Sequence, residues 1–110
     1  MIKILVIKQN NEIIAIEATG HSGYAEVGHD IVCSAVSVLT QNLAQGLSEV
    51  VGIKPKVVVD ESIPHFSLTL PELNAKQMRE AQLLIKTTYL GLKDVANQFK
   101  KYVSIKEKNK

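Results

Sequence analysis

A lone cysteine and a histidine twelve residues before it are the side chains of this chain best suited to covalent chemistry. Cys33 lies where a predicted helix begins, and His21 lies where a predicted strand ends. Backbone amides and the positive end of the helix dipole favour a thiolate in the first turn, and a nearby imidazole can accept the thiol proton. The spacing therefore favours a nucleophile and its base, with a glycine-bearing loop between them.

Other interpretations of these side chains stay open. Cys33 could be a small buried hydrophobe, and His21 could be a surface residue of a loop. A zinc site is a third alternative, because His21, His29 and Cys33 are all of ligand type and the last two lie close together in the sequence. Structural zinc sites take four protein ligands and usually more than one cysteine, whereas the further candidates are only Asp30 and a distant His65. We therefore expect no metal and no cofactor.

Several residues around the pair have two candidate roles each. Asp30 is predicted to cap the helix that carries Cys33, and it could also hold the loop or orient the histidine. Ser37 lies four residues past Cys33 on the same helical face, and it bonds either near the sulfur or back to its own helix. Tyr24 is either a loop anchor or a substrate contact. The glycines of the loop either simply allow its turns or point their N–H groups inward as an oxyanion hole. They are Gly20, Gly23 and Gly28.

The elements that must position these residues follow from hydrophobic periodicity. β-Branched residues predict an antiparallel hairpin of two strands, over residues 2–8 and 13–19. Residues 20–29 have no sustained period and are predicted to form a loop. Apolar residues at helical spacing then predict a helix from residue 30 to about residue 51, ended by Gly52.

The second half of the chain repeats the order of strand, strand and helix. Residues 56–60 and 65–70 predict two further strands, and residues 74 to about 103 predict one long helix. Asn74 and Gln77 resemble a capping box at its start. The predicted fold class is α+β, in the order ββαββα, with a four-stranded mainly antiparallel sheet and two helices, of which the C-terminal one is long.

Length and composition limit the class of protein. With 110 residues and 45% hydrophobic residues, we expect one domain over residues 1–105, followed by a charged, frayed tail over residues 106–110. Lysine and arginine number 13 against 11 acidic residues, and tryptophan is absent, which argues against a specific nucleic-acid partner but allows a contact with the ribosome. One cysteine suits the reducing cytoplasm. No apolar run approaches the ~20 residues of a membrane span.

An apolar stripe runs along the predicted final helix. From Met78 to Tyr102 its members alternate at spacings of four and three residues. A helix of about thirty residues presents more of such a stripe than a small sheet can cover. We therefore expect the chain to form a C₂ homodimer.

Two runs of the chain closely resemble the motif of the bacterial ribosomal-processing cysteine protease family, Prp. They are GHSGY over residues 20–24 and GHDIVCSAVS over residues 28–37. Length, element order and the long final helix are similar too, so the resemblance covers essentially the whole chain. Ser22 and Ser34 stand where many relatives have alanine, and His29 stands where another polar residue is common. None of these departures removes a catalytic group.

The resemblance implies a role for each matching position. Cys33 becomes the thiolate nucleophile and His21 becomes the general base. Residues 22–32 become a mobile active-site loop. Asp30 and Ser37 fall on motif positions whose roles are less defined.

The implied function is that of a cysteine endopeptidase. Members of the family remove an N-terminal extension from the large-subunit ribosomal protein numbered twenty-seven, in bacteria such as Firmicutes and their relatives. Their substrates carry a paired-aromatic sequence that ends at the scissile bond. The implied partners are the N-terminal peptide of that precursor and a second copy of the chain, in the cytoplasm. The alternative is a non-catalytic ribosome-associated module whose cysteine and histidine are structural.

Overall fold

The computed structural model describes residues 1–26, 29–60, 62 and 64–110. In chain order its elements are β1 (Ile2–Gln9), β2 (Glu12–Thr19), α1 (Ile31–Gly46), a π-helical segment (Leu47–Val51), β3 (Lys56–Asp60), β4 (His65–Thr69), α2 (Ala75–Gln98) and β5 (Val103–Asn109). Within these described ranges, no helix is long and apolar enough to cross a membrane.

In the part of the chain that the structure describes, the strands form one five-stranded sheet in the order β3–β4–β2–β1–β5. The pairs β1–β2, β2–β4 and β3–β4 are antiparallel, and β1–β5 is parallel. The predicted α+β class, the two helices and the mainly antiparallel sheet are confirmed. The sheet has a fifth strand where the sequence predicted four.

The first hairpin closes as its residue types require. Asn10 and Asn11 join β1 to β2 with φ angles of 53° and 65°. Asparagine tolerates this left-handed region better than most residues, and two such residues give a turn whose twist matches the strands. The hairpin places the end of β2, and thus His21, next to the start of the chain.

The end of the chain differs from the expectation. α2 ends at Gln98, where the amide of Tyr102 donates to the carbonyl oxygen of Phe99 at 2.8 Å and turns the chain. Residues 106–110 were expected to form a frayed tail. All five are exposed and four of them are charged, but 106–109 belong to β5 and pair with β1.

The reason for the difference is that the apolar pattern does not change where the helix ends. Phe99 and Tyr102 continue the stripe of α2 and still pack against the core from the turn. β5 itself buries Val103 and partly buries Ile105, and it gives no sustained apolar alternation that would predict a strand.

α1 begins directly after Asp30, as the sequence predicted. The regular helix stops at Gly46, and the π-helical segment carries the chain to Val51. Gly52, with a φ angle of +81°, then ends it in the left-handed conformation predicted for a helix stop. The core lies between the helices and the sheet face that presents Val6 and Ile16.

Candidate active site

Asp30 caps α1 and fixes the position of the cysteine. Its Oδ1 atom accepts hydrogen bonds from the amides of Val32 at 3.0 Å and Cys33 at 2.9 Å. Both amides lie in the first turn, where no helical carbonyl is available to them. Cys33 is the third residue of the helix and is partly buried, so its thiol lies at the positive end of α1, as predicted.

A buried serine ties the loop to this cap. The Ser22 side chain is 3% exposed, and its hydroxyl donates to Oδ2 of Asp30. The same hydroxyl oxygen accepts a hydrogen bond from the amide of Tyr24 at 3.0 Å. The amide of Ser22 donates to Sγ of Cys33 at 3.5 Å. Asp30 therefore caps the helix and also holds the loop, which are two of the roles that the sequence left open.

The Asp30 carboxylate carries a charge beside the thiol. Burial raises its pKa, but the hydrogen bonds from the Ser22 hydroxyl and from the amides of Cys33 and Ala25 outweigh burial and lower the pKa to about 2. A charged acceptor strengthens the capping bonds.

Acid should weaken the fold of the wild type more than that of Asp30→Asn. The pKa of this carboxyl falls from 3.8 to about 2 on folding, so its contribution to stability is complete above the higher value and is lost as the pH falls through the lower one. We expect urea titrations to show a steeper loss of unfolding free energy in the wild type between about pH 4 and about pH 2. If the unfolding free energy falls equally steeply with pH in the two proteins, Asp30 does not stabilise the fold as a charged carboxylate.

His21 reaches the site because a glycine precedes it. Gly20 has a φ angle of +91°, and a Cβ atom there would lie 2.5 Å from the carbonyl oxygen of Met1. The amide of Gly20 donates to the carbonyl oxygen of Pro64 at 3.0 Å, so it is not available as an oxyanion donor. The His21 side chain is exposed, and the described residues include no hydrogen bond between its imidazole and the Cys33 thiol.

Two adjoining clefts meet at the cysteine. Cys33, His21 and Ser37 line both of them. One cleft, of about 280 Å³, lies between α1 and the corner of β3 and β4, and the other, of about 480 Å³, lies along the loop and the start of α1. The smaller cleft is also lined by Val36, Val59, His65 and Phe66, and the larger by Gly23, Ala25, Asp30 and Val38. An extended chain that crosses the sulfur would therefore have a cleft on each side.

The smaller cleft exists because the helices leave β3 uncovered. The strand register places Val57 opposite Leu68 and Val59 opposite Phe66, on the sheet face that carries the core. Leu68 is fully buried, whereas Val59 is 60% exposed. An apolar strip on the core side of the sheet is thus open to solvent beside Cys33, where it can receive an apolar side chain.

The structure places the other loop residues that the sequence singled out in different surroundings. Tyr24 makes the contacts expected of a loop anchor, since its ring meets the rings of Phe99 and Tyr102 edge-on at centroid distances of 5.6 and 5.2 Å. Gly28 lies outside the described residues, so its role stays a prediction. His29 is exposed and lines neither cleft.

A second histidine lies closer to the cysteine than its sequence position suggested. His65 begins β4, and it lines the smaller cleft together with Cys33 and His21. Even so, among residues 1–26, 29–60, 62 and 64–110, no three side chains of histidine, cysteine, aspartate or glutamate are grouped as ligands for a metal ion.

Sequence reasoning missed several residues of the site. Ser22, Val59 and Phe66 reach it through the fold of the loop and the order of the strands, and no local spacing marks them. The partners of Tyr24 were missed for the same reason, because they lie at the other end of the chain.

Comparison with known proteins identifies the family of this chain. The sequence profile of the family described as Cysteine protease Prp matches residues 1–104. The chain belongs to this family. The ribosomal processing cysteine protease Prp of Bacillus subtilis (strain 168) is 29% identical over 89 residues, which are 80% of this chain and 80% of the relative.

Solved structures share the fold. SMU.848 from Streptococcus mutans is 30% identical, with a TM-score of 0.88 over 100% of this chain and 96% of its own. The ribosomal processing protease Prp from S. aureus, in complex with a covalently linked product peptide, is 21% identical, with a TM-score of 0.89 over 98% of this chain and 100% of its own. The same S. aureus protease with a substrate peptide is 20% identical, with a TM-score of 0.84 over the same shares of the two chains.

Membership of the Prp family decides between the two function classes that the sequence left open. The chain is a cysteine protease, as the motif predicted, and the non-catalytic alternative is set aside.

Proposed function

We propose that Cys33 is the nucleophile and His21 the general base of an endopeptidase that removes the N-terminal extension of the large-subunit ribosomal protein numbered twenty-seven. One observation carries the assignment of residues: the sole cysteine lies in the first turn of α1, where two clefts meet, and His21 lines both clefts. The particular substrate rests on what the family resemblance implies, and a Bacillus subtilis relative named as a ribosomal processing protease supports a substrate of the ribosomal-protein class.

The proposed reaction has two steps. The His21 imidazole accepts the thiol proton of Cys33, and the sulfur attacks the carbonyl carbon of the scissile bond. As the C–N bond breaks, the imidazolium returns the proton to the leaving amine. A water molecule, deprotonated by the same imidazole, then hydrolyses the thioester and frees the thiol. Because the amide of Gly20 is already bonded, we assign the oxyanion contact to the amide of Gly23, which lines the larger cleft.

The direct test uses the natural precursor. Incubation of the enzyme with the ribosomal protein precursor from the same organism, followed by mass spectrometry of both proteins, should show loss of the N-terminal extension at one bond. Cys33→Ala, treated in parallel, should leave the precursor at full mass. An unchanged precursor with active wild-type enzyme would refute the substrate, while the roles of Cys33 and His21 would still be testable on peptides.

We further propose that the smaller cleft receives a bulky apolar side chain from the residues just before the cut. Val36, Val59 and Phe66 give it an apolar lining, and aromatic side chains bury the most area at low entropic cost. Paired aromatics before the scissile bond, which the family resemblance implies, suit such a lining. A peptide with Phe-Phe before Ala should therefore be cleaved faster than the same peptide with both phenylalanines changed to serine.

Two neighbouring valines of β3 allow a matched test of this cleft. Val59 lines it, whereas Val58 points to the opposite face, where it pairs with Ser67. We expect Val59→Arg to lower kcat/KM for the Phe-Phe peptide by about tenfold or more, because a long charged side chain would replace the apolar surface beside Phe66. Val58→Arg should stay within about twofold of the wild type. The specificity proposal would be refuted if the two variants changed kcat/KM equally, or if the two peptides were cleaved at equal rates.

Assembly belongs to the same proposal. We infer a cytoplasmic homodimer that meets its precursor at the ribosome. The apolar stripe that predicted a dimer packs against the core of its own chain, so the support for a dimer comes from another face of the helix. α2 exposes two leucines seven residues apart on one face, Leu83 at 70% and Leu90 at 59%. Sedimentation at micromolar concentration should give a dimer, and a monomer would refute this part.

A further inference from the structure

An aromatic cluster ties the loop that follows His21 to the far end of the chain. The Tyr24 ring meets Phe99 at an interplanar angle of 85° and Tyr102 at 80°, with centroids 5.6 and 5.2 Å away. Edge-to-face pairs at these distances are favourable because the positive edge of one ring faces the negative face of the other. Tyr24 nevertheless stays 42% exposed, so the two rings cover only part of it.

The corner that carries the two partner rings is firmly held. The amide of Tyr102 donates to the carbonyl oxygen of Phe99 at 2.8 Å, and the amide of Ile2 donates to that of Tyr102 at 2.8 Å. Both rings also pack against the core. Tyr24, by contrast, follows Gly23, an exposed residue with a φ angle of +73° and nothing within 4 Å of its Cβ position. The cluster thus joins a lightly packed turn to a fixed support.

From Tyr24 two hydrogen bonds lead to the sulfur. The amide of Tyr24 donates to the hydroxyl oxygen of Ser22 at 3.0 Å, and the amide of Ser22 donates to Sγ of Cys33 at 3.5 Å. The Ser22 hydroxyl also holds the carboxylate of Asp30. Because His21 directly precedes Ser22, a displacement of Tyr24 would move the candidate base together with the amide that contacts the sulfur.

We propose that Phe99 and Tyr102 are positioning residues of the active site, which act by holding Tyr24. The inference rests on the proposed roles of Cys33 and His21. Without the rings, the segment of residues 21–24 would spend less time in the arrangement that sets the Ser22 amide against the sulfur and keeps His21 in the two clefts beside it. The loss would appear as lower reactivity of the thiol rather than as weaker binding of the peptide.

The rate of Cys33 alkylation by iodoacetamide, near neutral pH, tests this directly. The reagent needs no peptide-binding site, and Cys33 is the only thiol in the chain. We expect Tyr102→Leu and Phe99→Leu each to lower the alkylation rate and kcat by about two- to tenfold, with KM within about twofold, since one aromatic pair is removed in each. Tyr102→Phe keeps the ring and should keep the wild-type rates.

A control variant separates positioning from general destabilisation. Tyr89 joins the two elements that flank this corner, α2 and β5, because its hydroxyl donates to Glu107 at 2.5 Å, but it is not part of the aromatic cluster. Tyr89→Leu should therefore lower the unfolding temperature and leave the alkylation rate at the wild-type value. The proposal is overturned if Tyr102→Leu is alkylated at the wild-type rate, or if Tyr89→Leu slows alkylation as much.

A double variant shows whether the rings act through Tyr24. If they do, Tyr24→Leu combined with Tyr102→Leu should be alkylated no more slowly than Tyr24→Leu alone. If the fold-losses in alkylation rate of the two single variants multiply in the double variant, the rings do not act through Tyr24 and the proposal is overturned. These rates do not depend on which residue cleaves the peptide, so a failure of the nucleophile assignment, seen as cleavage by Cys33→Ala, stays distinct from a failure of the positioning role.

Discussion

Cys33→Ala should lower cleavage of the precursor by at least about 10⁴-fold. The chain has no second thiol that could form the acyl-enzyme. The rest of the site should survive, because the Asp30 carboxylate holds the backbone amide of residue 33, at 2.9 Å, and alanine keeps that amide. Single-turnover reactions with excess enzyme, followed by mass spectrometry, measure the loss without interference from slow product release.

The control for this variant is its stability. Cys33 is only partly buried and lies outside the fully buried core, so the unfolding free energy should change by no more than about 1 kcal/mol. Cys33→Ser retains the shape of the side chain and should be nearly as inactive, because a hydroxyl ionises far less readily than a thiol. An alanine variant that cleaves at the wild-type rate would show that the proposed mechanism is wrong.

The local parts of this fold are readable from the sequence because their chemistry is local. Asp30 could be recognised as a cap from its place before an apolar helical stripe, and that alone puts Cys33 in the first turn. The capping box of α2 was predicted in the same way. Asn74 accepts from the amide of Gln77 at 2.8 Å, and the Gln77 side chain accepts from the amide of Asn74 at 3.1 Å.

The final strand could not be predicted in that way. β5 is held by parallel pairing with β1, so the residue opposite Lys106 is Leu5, at the other end of the chain. The exposed side of an edge strand needs no apolar residues, and its inward residues are too few to mark a period of two. The apolar stripe of α2 meanwhile continues past the true helix end, since Phe99 and Tyr102 are needed by the core.

The candidate site also has features that follow from the local sequence and features that depend on the order of the strands. A strand end followed by a loop and a capped helix brings His21 and Cys33 to neighbouring positions, and both parts of that argument are local. The lining of the smaller cleft is not, because Val59 and His65 arrive only when β4 pairs with β2 and leaves β3 at the edge. Strand order is decided by contacts that sequence periodicity does not encode.

His21→Ala should slow peptide cleavage by about 10²–10⁴-fold, the usual contribution of general acid–base assistance. It should also slow alkylation of Cys33 near neutral pH, because the thiol would lose its proton acceptor. Steady-state cleavage of the Phe-Phe peptide and the iodoacetamide rate measure the two effects on the same preparation. Full activity in this variant would exclude His21 as the base.

Two other histidines serve as controls, and only one of them is a rival. His29 lines neither cleft, so His29→Ala should change the cleavage rate little. His65 lines the smaller cleft beside Cys33, so His65→Ala is the sharper comparison. His21 alone among the three lines both clefts, and the amide of its neighbour Ser22 contacts the sulfur. We therefore expect the loss in His65→Ala to stay below about tenfold, and a larger loss there than in His21→Ala would move the base to His65.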